Sequence, residues 1–163
     1  MTHPSLASVA SPAATALIAA GHTISVAESS CGGLISAALV AIPGASAYYV
    51  GGGIIYTATG GKALLAPRPK GMQSATEAFA LFEARSIREK MASTWGIGET
   101  GASGPSGNPY GNPPGHACIA ISGPIERVIT LATGNSDRES NMWAFTKAAL
   151  ELLEAVLADY KKP

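Results

Sequence analysis

The chain has 163 residues, 47% of them hydrophobic and 13% charged, and its 11 basic and 11 acidic side chains cancel. Such a length is expected to form one domain over residues 1–163, burying a substantial core without disulfides or metals, and so few charges point to surface covered in a homo-oligomer. The balance excludes the positive field by which nucleic-acid-binding proteins draw their partner, since the one basic cluster is Lys62, Arg68 and Lys70.

Ser11-Pro12 suits an N-cap followed by a first helical position, so a helix is expected from there to about Ala20, with an earlier turn from Ser5 and Gly21 as its end. Residues 5–20 are apolar, but no basic segment precedes them and Pro12 interrupts them, which argues against a secretion signal. Thr23 to Ala27 is short, apolar and β-branched, the pattern of a buried strand. Gly32 to Ile42 reads as a helix with Leu34, Ile35, Ala38, Leu39 and Ile42 on one face, closed by Pro43-Gly44. Tyr48 to Thr57 is a second strand, in which Gly51 to Gly53 imply close approach of a ligand or another backbone. A longer helix is expected over about Ser74 to Thr94, with Ala78, Phe79, Phe82, Ile87 and Met91 at helical spacing and Arg85, Arg88 and Glu89 opposite. Strands follow at Trp95 to Thr100, His116 to Ser122 and Arg127 to Thr133, the last two joined by a Gly123-Pro124 turn. A final helix from about Glu139 to Asp159 buries Leu152, Leu153, Val156 and Leu157. Alternation first and a hairpin late predict an α/β fold, a three-layer α/β/α sandwich around a mixed, mostly parallel sheet. No other apolar stretch approaches the ~18 residues of a membrane span.

Two segments carry chemistry. The first strand breaks at Ala27-Glu28-Ser29-Ser30-Cys31-Gly32-Gly33 directly ahead of a helix, which aims backbone N–H groups and a Ser side chain at one point, an anion or oxyanion site. Ser caps and Gly turns also occur where they only shape the backbone. The second is Thr100-Gly101-Ala102-Ser103-Gly104-Pro105-Ser106-Gly107, which opens a stretch, residues 102–115, holding four glycines and four prolines in 14 positions. A loop of that length is functional or disordered.

Ser29 is the candidate nucleophile, and a serine needs a neighbour to take its proton. His3, His22 and His116 stand at a terminus, a turn and a strand start, so no Ser-His-Asp set emerges. A lysine desolvated in a pocket can lose its charge and serve instead. Cys31 and Cys118 lack the spacing of a zinc site or redox pair, which fits a reduced, cytoplasmic protein with neither metal nor cofactor. Cys31 reads as a small buried thiol.

Taken together these pieces resemble the amidase domain of the CinA family, the nicotinamide-nucleotide amidohydrolases also described as competence/damage-inducible proteins. The family's Ala-Glu-Ser-Cys-Thr-Gly-Gly is matched with Ser30 and Cys31 in the two variable places. Pro43-Gly44-Ala45-Ser46 is similar to its Pro-Gly-Ser-Ser turn, and Gly52 through Tyr56 to its glycine-to-tyrosine strand. Thr100-Gly101-Ala102-Ser103-Gly104-Pro105 is similar to Thr-Gly-Ile-Ala-Gly-Pro, Pro114-Gly115 to Pro-Val-Gly, and Arg138 to the Arg before the last helix. The resemblance covers roughly residues 8–158, and the chain length implies the amidase domain without the further N-terminal domain of longer members.

The resemblance implies roles as well as a fold: Ser29 as nucleophile, Tyr56 as the assisting tyrosine, Lys62 as general base, and a small-molecule nucleotide as substrate. Two departures accompany it. The family's Lys stands five residues after its Tyr and follows a Ser-Asn pair, whereas Lys62 stands six after Tyr56 without the Asn, an extra residue that Gly60-Gly61 could absorb as a bulge. Where the family often has a second Arg after the first, this chain has Met142. Backbone N–H groups of Ser30, Gly32 and Gly33 are the expected oxyanion hole or phosphate cradle. Thr100, Gly101, Ser103 and Gly104 are the facing wall, and Arg138 is the phosphate or ribose partner. Deamidation of nicotinamide mononucleotide is the first reading. A nucleotide-binding module without turnover and a Ser-Lys amidase of another substrate remain beside it.

Overall fold

Four of the helices begin where a short polar side chain can receive a free N–H of their first turn. Ser5 accepts from Ser8, Thr57 from Gly60, Thr76 from Phe79 and Asp137 from Ser140, each cap contributing about 1 kcal/mol. A computed structural model of the chain describes residues 3–160, so both ends of the expected 1–163 domain lie outside the described residues. The elements run α1 (Leu6–Ala20), β1 (Ile24–Glu28), α2 (Leu34–Val40), β2 (Tyr49–Ile54), α3 (Ala58–Leu64), α4 (Glu77–Met91), β3 (Trp95–Ala102), β4 (His116–Ser122), β5 (Arg127–Ala132) and α5 (Arg138–Asp159), with a short 3-10 turn at Ala45–Ala47.

Two helices differ from the expected pattern. The first begins at Leu6 on the Ser5 cap, and Pro12 lies within it, on its exposed side. α3 was not expected at all. The Gly60-Gly61 pair lies inside that helix, so the additional residue before Lys62 is taken up as helical turn and not as a bulge. α4 is shorter than its pattern, and Ala78 is exposed while Ala80 and Ala84 occupy the core. The reason lies across from it in β3, where a Cβ on Gly98 would come within 2.0 Å of the Ala80 carbonyl oxygen. Small residues on both sides bring the helix backbone onto the strand.

The sheet order is β2-β1-β3-β4-β5. β1 runs parallel to both β2 and β3, while β3–β4 and β4–β5 are antiparallel. The sheet is mixed as expected, but its pairings divide evenly rather than favouring parallel, because the chain reverses direction twice after β3. Ile24, Val26, Trp95, Ile97, Ile119 and Ile121 form a fully buried core with residues of α1, α2 and α5, while Ala27, Ile55, Leu65 and Ile87 cluster on the α4 side. Helices thus cover both faces. Among the described residues no helix is long and apolar enough to cross a membrane.

This topology places the chemistry. β1, β2 and β3 are mutually parallel, so their carboxyl ends share one edge: Ser29 follows β1, Tyr56 follows β2, and Thr100 and Gly101 lie in the last turn of β3. The chain leaves β1 for β2 on one side and returns to β3 on the other, which opens the crevice where α/β sheets take ligands.

Candidate active site

Two buried glutamates build the turn that carries Ser29. Glu28 and Glu99 are direct partners in the parallel register of β1 and β3, and both are 0% exposed. Glu28 accepts hydrogen bonds from the N–H groups of Gly33, Ile35 and Ser36 and from Ser36 Oγ. Its carboxyl therefore occupies the N-terminus of α2, whose own cap residue, Gly33, supplies no side chain. Glu99 accepts from the Ser29 N–H at 3.0 Å, the Cys31 N–H at 2.9 Å and Ser30 Oγ. Burial, with the charge of Glu28 adding, raises the Glu99 carboxyl above the usual range, while those three donors oppose the rise.

These contacts sort the expected oxyanion donors. The Gly32 N–H is bonded to the Ser29 carbonyl and the Gly33 N–H to Glu28, and neither glycine borders a cavity at the site. As a correction, both act by conformation: φ is +65° at Gly32 and +102° at Gly33, left-handed values that bend the chain from strand into helix. The Ser30 N–H is different, having no hydrogen-bond partner among the described residues. It is the unengaged donor next to Ser29.

Two cavities meet at Ser29. The larger, about 530 Å³, is bordered by Ser29, Tyr56, Lys62, Arg68 and Thr100 and by the apolar walls Ile55, Leu65, Phe79 and Phe82. The smaller, about 270 Å³, is bordered by Ser29, Ser30, Tyr56, Gly101, Ser103, Gly104, Asn108 and Arg138. Ser29, Tyr56 and Lys62 thus border one cavity. Lys62 is exposed, in the last turn of α3, and no hydrogen bond joins it to Ser29. Arg138 donates through Nη1 to the Gly104 carbonyl at 2.6 Å and through Nη2 to Tyr56 Oη. A guanidinium can only donate, so Tyr56 Oη accepts there and keeps its own proton for another partner.

The facing wall is tied to the turn. A Cβ on Gly101 would come within 2.9 Å of Ser30 Oγ and 2.4 Å of the His116 carbonyl oxygen, so only glycine lets the two segments approach. Thr100 Oγ1 accepts from the Ala75 N–H, and Ser103 Oγ donates to the Ser30 carbonyl. Hydrogen bonds tie the 102–115 loop: Asn141, fully buried in α5, donates to the Ser103 carbonyl, and Asn108 closes a turn on the N–H groups of Tyr110 and Asn112. Neither His22, which accepts from Trp95 Nε1, nor His116, bonded to the Ala75 carbonyl, borders either cavity. Cys31 is fully buried, and burial with the charge of Glu99 pushes its thiol well above the usual range, which leaves it a packing residue. Among the described residues no three His, Cys, Asp or Glu side chains gather where a metal ion could bind. Sequence reasoning missed Glu28, Glu99, Asn141 and Arg68. The signal for Glu28 was an acid closing an apolar strand.

Comparison with known proteins gives a consistent result. The family model described as CinA C-terminal domain matches residues 6–157. A CinA-like protein of Gloeobacter violaceus is 34% identical over 158 residues, covering 94% of this chain and 37% of that protein. A CinA-like protein of Koribacter versatilis is 36% identical over 141 residues, covering 83% of this chain and 33% of that protein. The chain therefore spans about a third of the length of these relatives. Among solved structures, a competence/damage inducible protein from Agrobacterium tumefaciens has a TM-score of 0.87 at 25% identity, covering 97% of this chain and 99% of that one. A CinA superfamily protein from Klebsiella pneumoniae has a TM-score of 0.90 at 24% identity, covering 96% and 100%, a likeness of fold.

Proposed function

The chain belongs to the CinA family, and from that premise and the arrangement around Ser29 we propose that it is a Ser-dependent amidohydrolase, converting nicotinamide mononucleotide to nicotinic acid mononucleotide and ammonia. The observation that carries this reading is the shared border of one cavity by a serine at a strand-to-helix turn, a lysine amine and a tyrosine held by an arginine. Beside them stands the unengaged Ser30 N–H. In the reaction Ser29 Oγ bonds to the amide carbon as its proton passes to Lys62, and the tetrahedral oxyanion takes the Ser30 N–H. Collapse breaks the C–N bond, and the departing nitrogen receives the proton from Lys62, with Tyr56 Oη as relay. Water then cleaves the acyl-Ser29 ester, giving the carboxylic acid and free Ser29. Ser103, Gly104 and Arg138 form the facing wall, with the remaining Arg138 N–H groups toward the ribose.

Ammonia release from nicotinamide mononucleotide tests the reading. Ser29→Ala and Lys62→Ala should each lower kcat by a factor on the order of 10³ or more, and the double variant should lose little further, because residues acting as one unit are non-additive. Undiminished release by Ser29→Ala would overturn it. A second reading, a nucleotide-binding module without turnover, draws on the exposure of Lys62 and its lack of a bond to Ser29. Saturable nucleotide binding by the unaltered protein without any ammonia would decide for that one.

A further inference from the structure

A nucleotide amide brings a phosphate to the site, and two arginines border it. Arg138 is engaged on Gly104 and Tyr56 through both terminal nitrogens, and it stands between the exposed carboxylates Asp137 and Glu139. Arg68 borders the larger cavity under different conditions. No Asp or Glu lines that cavity, while Lys62 and Arg68 both do, and neither cation is ion-paired among the described residues. The acid that feels the charge of Arg68 is Glu83, fully buried on the helix that also supplies Phe79 and Phe82. Burial, with the charge of Glu99 adding, raises the Glu83 carboxyl well above the usual carboxylate range.

Arg68, although exposed, is hydrogen-bonded within its own loop. Its Nε donates to the Met72 carbonyl at 2.8 Å, its Nη2 to the same oxygen, and its Nη1 to Ser74 Oγ at 3.1 Å. The guanidinium lies 4.3 Å from the centroid of the Phe79 ring. Those contacts use three of the five N–H groups of the fork and leave two, in a plane whose orientation is set. A preset fork beside apolar walls loses little freedom when an anion binds.

We propose that Arg68 binds the anionic end of the amide substrate, a phosphate in the nucleotide, and that Arg138 is a positioning residue for Tyr56 and the 103–107 wall. The identity of the substrate rests on the amidase reading above; the assignment of the anion to Arg68 rests on the cavity. Lys62 must be neutral to take the Ser29 proton, so the standing positive charge in that space is Arg68.

Nicotinamide mononucleotide and nicotinamide riboside differ by the phosphate alone. Both are titrated calorimetrically into protein carrying Ser29→Ala, and both are offered for hydrolysis to protein with Ser29 intact, each with and without Arg68→Met, Arg68→Lys or Arg138→Met. Arg68→Met should lower the preference for the nucleotide over the riboside by about 10- to 100-fold, the worth of a charge-assisted hydrogen bond. Arg68→Lys, which keeps the charge without the fork and guards against a folding defect in the Met variant, should fall between. Arg138→Met should lower kcat on both substrates together, through Tyr56. A preference that survives Arg68→Met, or that collapses with Arg138→Met instead, overturns the proposal. Equal affinity of the Ser29→Ala protein for nucleotide and riboside overturns it too. A binding preference for the nucleotide that is lost with Arg68→Met, with no ammonia from either substrate when Ser29 and Arg68 are intact, defeats the amidase reading and leaves the Arg68 assignment supported.

Discussion

Glu28 and Glu99 stand side by side on neighbouring strands, and seven donors converge on their two carboxyls. The turn depends on acceptors more than on charge, and the two can be separated at Glu99. Glu99→Gln keeps an acceptor for the Ser29 and Cys31 N–H groups and turns its amide toward Ser30 Oγ, which can accept in its turn. Glu99→Ala strands buried donors at about 1–3 kcal/mol each. Urea denaturation should therefore find the Gln variant close to the unaltered protein and the Ala variant weaker by about 3 kcal/mol or more; equal losses would mean that charge, not acceptance, holds the turn. At this scale the sequence showed the candidate groups and hid their supports. Ser29 stands out by its place in a strand-to-helix turn, and Tyr56 and Lys62 through the family resemblance, whereas Glu99 is legible only once β1 is known to lie against β3, since its three donors come from about 70 residues away. Gly32 and Gly33 were read as donors because a turn pattern tells where glycines lie but not which N–H groups the fold has already used.

α4 shows the limits of periodicity. Its apolar spacing located the helix, but the face it buries includes Glu83, whose two carboxylate oxygens have no partner among the described residues. No spacing rule anticipates an unpartnered buried acid. In the unfolded chain Glu83 ionises near its ordinary value of 4.5, and in the folded chain only well above it. The folded state thus holds a proton that the unfolded state has released, so this residue makes stability fall as pH rises from about 4.5 toward the folded value. Glu99, also raised, acts in the same direction; Glu126, lowered by its Arg85 partner, acts oppositely and loses its contribution as pH falls through the acid range. Glu83→Met should accordingly raise stability by about 1–3 kcal/mol at neutral pH, with a larger gain in melting temperature at pH 8 than at pH 5. A gain independent of pH would show that the carboxyl is not held protonated. The other elements were legible to differing degrees. β4 and β5 announce themselves by β-branched runs, α1 was misplaced because Ser11-Pro12 imitates a helix start, and α3 was invisible because two glycines dilute a seven-residue helix that depends on its Thr57 cap.

For the molecule as a whole, alternation of elements predicted the layers correctly, while the balance of parallel and antiparallel pairing depended on the order in which strands join the sheet, which no local pattern encodes. That order makes the Ser29 turn a property of the complete fold. Ser29 and Cys31 give their amide protons to Glu99 across the β1–β3 junction, and the amide between them gives its proton to no acceptor among the described residues. Three consecutive residues should therefore keep time differently in deuterium oxide. The amides of Ser29 and Cys31 are expected to exchange only when the strands part, at the pace of global unfolding, while Ser30 exchanges early through local fluctuation. A ligand whose oxyanion rests on Ser30 should slow that middle amide alone, so that occupancy of the site could be followed by NMR without any turnover; indistinguishable rates across the three would count against the donor pattern described for the turn.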